Sequence, residues 1–195
     1  MAILSKLINL YKKSGFVLTV FRLPSRSFFI IRTKMNTLYW KLFLKKVGKQ
    51  VVIEPGVNFE NPTQVRIGNN VYIGKGSHFG SELHSGSLTI EDNVHIGYFN
   101  KIDHTGNIVI ERGTLFSENV KIYTHSHGYD PRSKPVPKDL IIKRNCWIGS
   151  DVTVLESVGV IESRVIIGAS SLVVKQCEIQ SSIYAGVPCR YIKNL

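Results

Sequence analysis

The chain repeats a hydrophobic residue at every sixth position, and this period excludes most folds. Five segments align without gaps, and in each an aliphatic residue or Phe returns six residues after a first Ile. The segments begin at Ile67, Ile90, Ile110, Ile142 and Ile161. A period of six matches neither the 3.6 residues per turn of an α-helix nor the heptad of a coiled coil. The apolar positions are also too sparse for strands that alternate between two faces.

A third apolar residue follows six positions after the second, so the repeating unit has about eighteen residues. These third residues are Phe79, Ile102, Ile122, Val154 and Val173. Each six predicts one short strand and one corner, and three of them predict one triangular coil with aliphatic side chains inside. Coils stacked at the spacing of parallel strands bury a ladder of Ile and Val. The predicted fold class is therefore an all-β solenoid.

The residues added to this repeat all fall at one corner of the coil. Between the third apolar residue of one unit and the first of the next, the additions are 5, 2, 14 and 1 residues. The largest addition contains His125 and His127 and predicts a protruding loop at about residues 124–140. Function in solenoids collects where insertions do. Within the repeat, we expect Gly68, Gly97 and Gly149 to let the backbone turn.

Residues 1–50 differ in composition from residues 51–195 and predict a basic N-terminal arm in front of the solenoid domain. They contain no Asp or Glu, and apolar spacing near 3.6 predicts amphipathic helices at residues 3–13 and 37–46. Such an arm fits two roles, packing within the protein or contact of residues 1–35 with an anionic membrane. Residues 16–31 are interrupted by two arginines and a proline, so they predict no transmembrane helix.

The formal net charge of +11 indicates a polyanionic partner. Nucleic acid, an anionic membrane and a phosphorylated cofactor all fit the charge, but no aromatic-interleaved basic stripe indicates nucleic acid. Three cysteines without zinc-type spacing argue against a disulfide framework. The N-terminus has no secretory pattern. We therefore expect a cytoplasmic protein, peripheral at the inner face of the membrane if the arm binds lipid.

Three runs in the C-terminal part of the chain resemble the hexapeptide-repeat acyltransferases, most closely the galactoside, maltose and exopolysaccharide O-acetyltransferases. The runs are residues 145–150 (Asn-Cys-Trp-Ile-Gly-Ser), residues 167–175, and residues 184–190 (Tyr-Ala-Gly-Val-Pro-Cys-Arg) with the C-terminal tail behind them. The resemblance covers residues 51–195 and implies a left-handed parallel β-helix and a homotrimer that binds acetyl-CoA between subunits. It implies an acetyl-CoA-dependent O-acetyltransferase for a carbohydrate hydroxyl in cell-surface polysaccharide biosynthesis, with no metal.

The resemblance also implies site residues. Residues 124–127 parallel the family segment that carries the general base, which assigns His127 as the base and His125 as the second candidate. Histidine suits this role because its unperturbed pKa lies near 6.5. The residues expected near the acceptor are Asn100 as a catalytic partner and Tyr98, Asp103 and His104 as binding residues. Those expected at the cofactor are Trp147, Ser150, Ala169, Lys175 and Arg190. Asn100 equally fits a corner residue in the left-handed conformation.

The sequence leaves other functions open. One is N-acylation of a nucleotide-linked amino sugar, and acetylation of serine or an antibiotic belongs to the same enzyme class. Another is a γ-carbonic-anhydrase-like metalloenzyme, which needs three histidines on zinc and has His104, His125 and His127 as candidates. The last is a non-catalytic trimeric scaffold.

Overall fold

The computed structural model describes residues 26–195, which form one α-helix followed by a triangular β-solenoid. The helix, α1, covers residues 26–43. The chain then winds in turn through three parallel sheets, A, B and C, one strand per sheet in every coil. The predicted left-handed parallel β-helix of hexapeptide repeats is confirmed.

The strands are numbered in chain order, and most contain two or three residues. Sheet A consists of β1 (Lys46–Val47), β4 (Val65–Ile67), β7 (Leu88–Ile90), β10 (Ile108–Ile110), β15 (Leu140–Ile142) and β18 (Val160–Ile161). Sheet B consists of β2 (Val52–Ile53), β5 (Tyr72–Ile73), β8 (His95–Ile96), β11 (Leu115–Phe116), β16 (Trp147–Ile148), β19 (Ile166–Ile167), β21 (Ser182–Ala185) and β22 (Arg190–Asn194). Sheet C consists of β3 (Asn58–Phe59), β6 (His78–Gly80), β9 (Lys101–Asp103), β12 (Lys121–Ile122), β17 (Thr153–Val154) and β20 (Leu172–Val173). A short 3-10 helix covers Pro62–Gln64, and β13 (His125–Ser126) pairs with β14 (Val136–Pro137) outside the three sheets.

The aligned hydrophobic residues of the sequence repeat are cross-strand neighbours in the structure. In sheet A, Ile67, Ile90, Ile110, Ile142 and Ile161 pair in one unbroken register. The corresponding rows in sheets B and C also pair in register, from Ile73 to Ile167 and from Phe79 to Val173. All these side chains are 0–1% exposed and form the core. The insertions fall between a strand of sheet C and the next strand of sheet A, as predicted.

The glycines of the repeat act differently from the expectation. Gly68, Gly97 and Gly149 do not have a positive φ. Instead, a Cβ on Gly149 would lie 2.7 Å from the amide nitrogen of Ala169 in the next coil, and one on Gly97 would lie 2.7 Å from Ser117 O. These glycines therefore permit close stacking of coils. The left-handed corners between sheets A and B are formed mostly by asparagines, including Asn70, Asn93 and Asn145.

Helix α1 closes the N-terminal end of the solenoid. Trp40 and Leu44 are buried in the core cluster, and Trp40 packs edge-on against Phe59 of β3. The Asn36 side chain donates to Ile53 O and Glu54 O, and the Thr37 hydroxyl accepts from Ile53 N at 2.9 Å. The predicted helix at residues 37–46 thus begins at residue 26 or earlier and ends at residue 43, because Lys46–Val47 pairs with β4. The helix predicted at residues 3–13 lies outside the described residues.

The opposite end of the solenoid is closed by the C-terminal tail. Strand β22 turns back and pairs antiparallel with β21, and the amide of Cys189 donates to Leu172 O of the last strand of sheet C. No helix in residues 26–195 has the length and apolar character needed to span a membrane.

Candidate active site

The two histidines lie at the base of the largest insertion, which leaves the solenoid as a hairpin. Strands β13 and β14 pair antiparallel, with His125 opposite Pro137. The Thr124 hydroxyl donates to Asp103 O at 2.7 Å and accepts from Gly106 N at 3.0 Å, which fixes the hairpin to the coil beneath it. The hairpin is therefore a rigid extension of the insertion corner.

Ser133 holds the ring of His127 from across the loop. The Ser133 hydroxyl donates to His127 O at 2.6 Å, and His127 Nδ1 lies 2.6 Å from Ser133 O. A carbonyl oxygen only accepts hydrogen bonds, so Nδ1 carries the proton and Nε2 is the basic nitrogen of the neutral ring. The ring is about three-quarters buried, with Nε2 directed towards the carboxylate of Glu82 at 3.2 Å.

His125 lies between two carboxylates. Its Nδ1 is 2.5 Å from Asp103 Oδ2, and its Nε2 is 2.8 Å from Glu82 Oε2. Both hydrogen bonds form at once only when each ring nitrogen carries a proton. His125 is therefore arranged as a donor on both sides, whereas His127 has one nitrogen that is available to accept a proton.

Glu82 comes from the five-residue insertion of an earlier coil and joins the two histidines. Its backbone amide donates to Thr105 Oγ1 at 2.9 Å, and that hydroxyl donates in turn to Asp103 Oδ1 at 2.6 Å. Asp103 and Glu82 thus belong to one hydrogen-bonded unit with His125 and His127, which we call the histidine cluster. The sequence analysis missed Glu82 and Ser133, since a position in an insertion was the only signal either residue offered.

The electrostatics of the histidine cluster favour the protonated form of His127. The Ser133 carbonyl, and next the Glu82 carboxylate, raise the pKa of His127 above the ordinary histidine value because both stabilise the charged ring. Partial burial acts in the opposite direction.

Other residues expected at the acceptor lie outside the histidine cluster. Asn100 is 1% exposed and spans two coils, donating to Ser117 O and accepting from Val120 N. The left-handed corner residue is its neighbour Phe99 and not Asn100, so the alternative role suggested for Asn100 is wrong. Tyr98 lies at the corner between sheets B and C, beside Tyr72 and Lys75.

His104 is completely buried beneath the insertion corner. Neither of its ring nitrogens has a hydrogen-bond partner among the described residues, and burial lowers its pKa. Among residues 26–195, the one group of side chains spaced to hold a metal ion is Glu82, His125 and His127. The three histidines named for a carbonic-anhydrase-like zinc site are therefore not brought together within the described chain.

The residues expected at the cofactor divide into two places. Lys175 and Arg190 line a cavity of about 620 Å³ at the C-terminal end, together with Cys177, Tyr184 and Tyr191. Trp147 projects from sheet B with half of its surface exposed and donates its Nε1 proton to Ser117 Oγ at 3.0 Å. Ser150 and Ala169 lie in consecutive coils at the corner between sheets B and C.

The three cysteines are free and buried. Burial raises the pKa of the Cys146 thiol to about 11 and that of the Cys177 thiol to about 12, and it also raises the pKa of Cys189. Thiolates are the nucleophilic form of cysteine, so these residues are unsuited to a covalent acyl-enzyme route.

Comparison with known proteins identifies the family. The chain is 31% identical over 165 residues to the galactoside O-acetyltransferase of Lactococcus lactis, covering 76% of this chain and 72% of that protein. The chain belongs to the hexapeptide-repeat acetyltransferases. It is therefore an acyltransferase, as its sequence predicts. The WcaF acetyltransferase of Escherichia coli K12, assigned to colanic acid biosynthesis, is 26% identical over 151 residues, with 77% of this chain and 66% of that protein covered.

Among solved structures, the hexapeptide-repeat acetyltransferase fold is found in AntD, an N-acyltransferase from Bacillus cereus crystallised with dTDP and coenzyme A. The two chains are 25% identical with a TM-score of 0.71, over 81% of this chain and 88% of AntD. No protein-family model matches the chain.

Proposed function

We propose that this acetyltransferase transfers the acetyl group of acetyl-CoA to a carbohydrate hydroxyl, with His127 as the general base. The observation that carries the proposal is the hydrogen bond from His127 Nδ1 to Ser133 O, which leaves Nε2 as the basic nitrogen. A sugar hydroxyl is a weak nucleophile at neutral pH, so removal of its proton during attack accelerates the reaction.

The proposed step balances without a metal or a redox partner. The acceptor oxygen attacks the thioester carbonyl carbon while its proton passes to His127 Nε2. The carbon–sulfur bond then breaks, and the departing thiolate receives that proton. Glu82 stabilises the protonated ring between these two events, since its carboxylate lies 3.2 Å from Nε2. Asp103 positions His125 through the 2.5 Å contact, and His125 in turn orients Glu82.

Lys175 and Arg190 are the proposed partners of the coenzyme A phosphates. Both line the C-terminal cavity, and neither makes an ion pair within residues 26–195. Cationic side chains bind phosphate through charge-assisted hydrogen bonds. Trp147, Ser150 and Ala169 are the proposed contacts of the thioester end, on a different edge of the prism from the histidine cluster.

This separation supports a homotrimer, because one donor molecule can meet both edges only where neighbouring subunits adjoin. Sheet B supports the same assembly. Its outward residues are mostly apolar, and Val52, Leu115 and Trp147 are 38%, 39% and 50% exposed. The outward residues of sheet C include Asn58, His78, Lys101 and Lys121. An exposed apolar face of this kind marks a protein–protein contact.

The trimer predicts a mass of about three times the 21.9 kDa of the chain. Leu115→Glu is expected to reduce that mass and the acetyl transfer together, because it places a charge in the apolar face of sheet B. The matched variant Lys121→Glu on sheet C should retain both. Light scattering coupled to size exclusion checks the mass, and a Leu115→Glu protein that stays trimeric contradicts the assignment of this face.

For the acceptor, we propose a sugar hydroxyl of a cell-surface polysaccharide or its precursor. The relatives support this class, since one acetylates galactosides and another is assigned to colanic acid biosynthesis. AntD favours a second candidate, N-acylation of a nucleotide-linked amino sugar. The proposed location is the cytoplasm, at the inner face of the membrane.

A thiol-release assay with acetyl-CoA tests the proposal. The panel should contain galactosides, other oligosaccharides, and nucleotide sugars with and without an amino group. We expect release with hydroxyl acceptors, and product mass spectra should show one added acetyl group on oxygen. Release only with amino sugars would favour the N-acyl candidate, and no release with any sugar would contradict both.

The pH dependence of the reaction tests the role of Glu82. His127 must be unprotonated to act as the base, and its pKa is raised, so the acidic limb of kcat/KM should lie above the ordinary histidine value. Glu82→Gln removes one cause of the increase and should move that limb to lower pH. Glu60→Gln, which changes the carboxylate beside His78, is the matched control and should leave the limb in place. An unmoved limb in Glu82→Gln contradicts the assignment.

A further inference from the structure

Helix α1 presents two opposite apolar faces. One face packs on the first coil through Asn36, Thr37, Trp40 and Leu44. On the other face an apolar row follows spacings of three and four residues along the helix, and its members are 55–75% exposed. The row consists of Phe28, Ile31, Met35, Leu38 and Leu42. We call it the outer stripe. Nothing in the described part of the chain covers it.

Charge surrounds the outer stripe on both sides, and all of it is positive. Lys34, Lys41 and Lys45 lie along one flank and Arg32 along the other, as the helical period places them. The segregation extends to the whole chain. Residues 1–53 contain 11 Lys and Arg and no Asp or Glu, and residues 54–195 contain 14 basic and 14 acidic residues. The solenoid is therefore neutral by formal count, and the entire excess of +11 belongs to the N-terminal segment.

This distribution of charge decides between two occupants of the outer stripe. Spacings of three and four residues also fit a helix that pairs with a second copy of itself. Such pairing needs flanking charges of opposite sign, and it would bring segments of charge +11 together. An anionic lipid surface attracts the same charges, while the apolar row inserts below the headgroups.

We propose that the outer stripe and its basic flanks bind the surface of an anionic lipid bilayer, with helix α1 lying in the plane of the interface. Long side chains of Lys and Arg reach the headgroups while their stems remain with the apolar face. The inference deepens the proposed location of the enzyme, but it does not depend on acetyl transfer.

Vesicle sedimentation with the full-length protein tests this. The probes are vesicles of pure phosphatidylcholine and vesicles that also contain phosphatidylglycerol. We expect sedimentation with the anionic vesicles only, weakened by added salt. Leu38→Glu/Leu42→Glu should abolish binding, and Lys34→Gln/Lys41→Gln should weaken it by about tenfold or more. The matched variant Lys101→Gln/Lys121→Gln removes the same charge from sheet C and should bind like the native protein.

Three outcomes overturn the proposal. The first is native protein that fails to sediment with anionic vesicles, as expected if residues 1–25 cover the stripe. The second is equal binding by the Lys34→Gln/Lys41→Gln protein, and the third is a lower oligomeric mass of Leu38→Glu/Leu42→Glu, which would make the stripe a subunit contact. Acetyl transfer to a soluble acceptor, measured on the same variants, should stay unchanged, so a failure here is distinct from a failure of the proposed activity.

Discussion

Replacing His127 with alanine is expected to lower kcat by about 10²–10⁴-fold, the usual contribution of a positioned general base. The KM for acetyl-CoA should change little, because the proposed phosphate partners lie at the C-terminal cavity. His125→Ala should cost less, since both nitrogens of that ring face carboxylates and neither is available to accept a proton. The measurement is initial thiol release at saturating acceptor, with circular dichroism to verify that each variant is folded.

The comparison between the two variants is the decisive part of this experiment. A larger loss in His125→Ala than in His127→Ala would transfer the role of base to His125, with Asp103 as its partner. Full activity in both would support the scaffold alternative. His78→Ala is a useful control, because this histidine also pairs with a glutamate but lies on the outer face of sheet C.

Truncating Ile122 to alanine is expected to lower the free energy of unfolding by about 2–5 kcal/mol. Ile122 is fully buried between Ile102 and Val154 in the row of sheet C, so the change leaves a cavity that neighbouring coils cannot fill. It also lies two residues before Thr124, which anchors the hairpin, and activity should fall at temperatures where the native protein is stable.

Urea unfolding at fixed protein concentration measures this loss. Ile141→Ala provides the matched control, because Ile141 points outwards from sheet A and is 37% exposed. The control should change stability by no more than about 1 kcal/mol. Equal losses in both variants would mean that the coil interior is not the main source of stability.

The solenoid could be predicted from the sequence because its register is written in the period itself. Each inward position requires an apolar side chain that matches the one above it, so a six-residue spacing carries both the strands and their partners. The same logic extends to the first coil, which the sequence analysis did not assign. Val47, Ile53 and Phe59 have the same spacing of six, and the structure places them in sheets A, B and C.

The histidine cluster could be predicted only in part. His127 and His125 stand out because histidine is chemically distinctive and both interrupt the repeat. Glu82 lies 43 residues before His125 in an insertion that shares no pattern with the hairpin. Only the stacking of two coils brings the insertions together at one corner. Helix α1 was misplaced for a related reason, since its boundaries depend on the contacts of Asn36 and Thr37 with Ile53 and on the pairing of Lys46 with Arg66.

The closed ends of the solenoid have a consequence for solubility. A stack of parallel coils ends in strands whose amide and carbonyl groups have no partner, and such edges template the addition of further chains. Here Thr37 accepts from the Ile53 amide at one end, and Cys189 donates to the Leu172 carbonyl at the other. A protein that lost either closure would present flat sheet edges to its neighbours. The helix and the tail thus keep the enzyme from growing end to end into fibres.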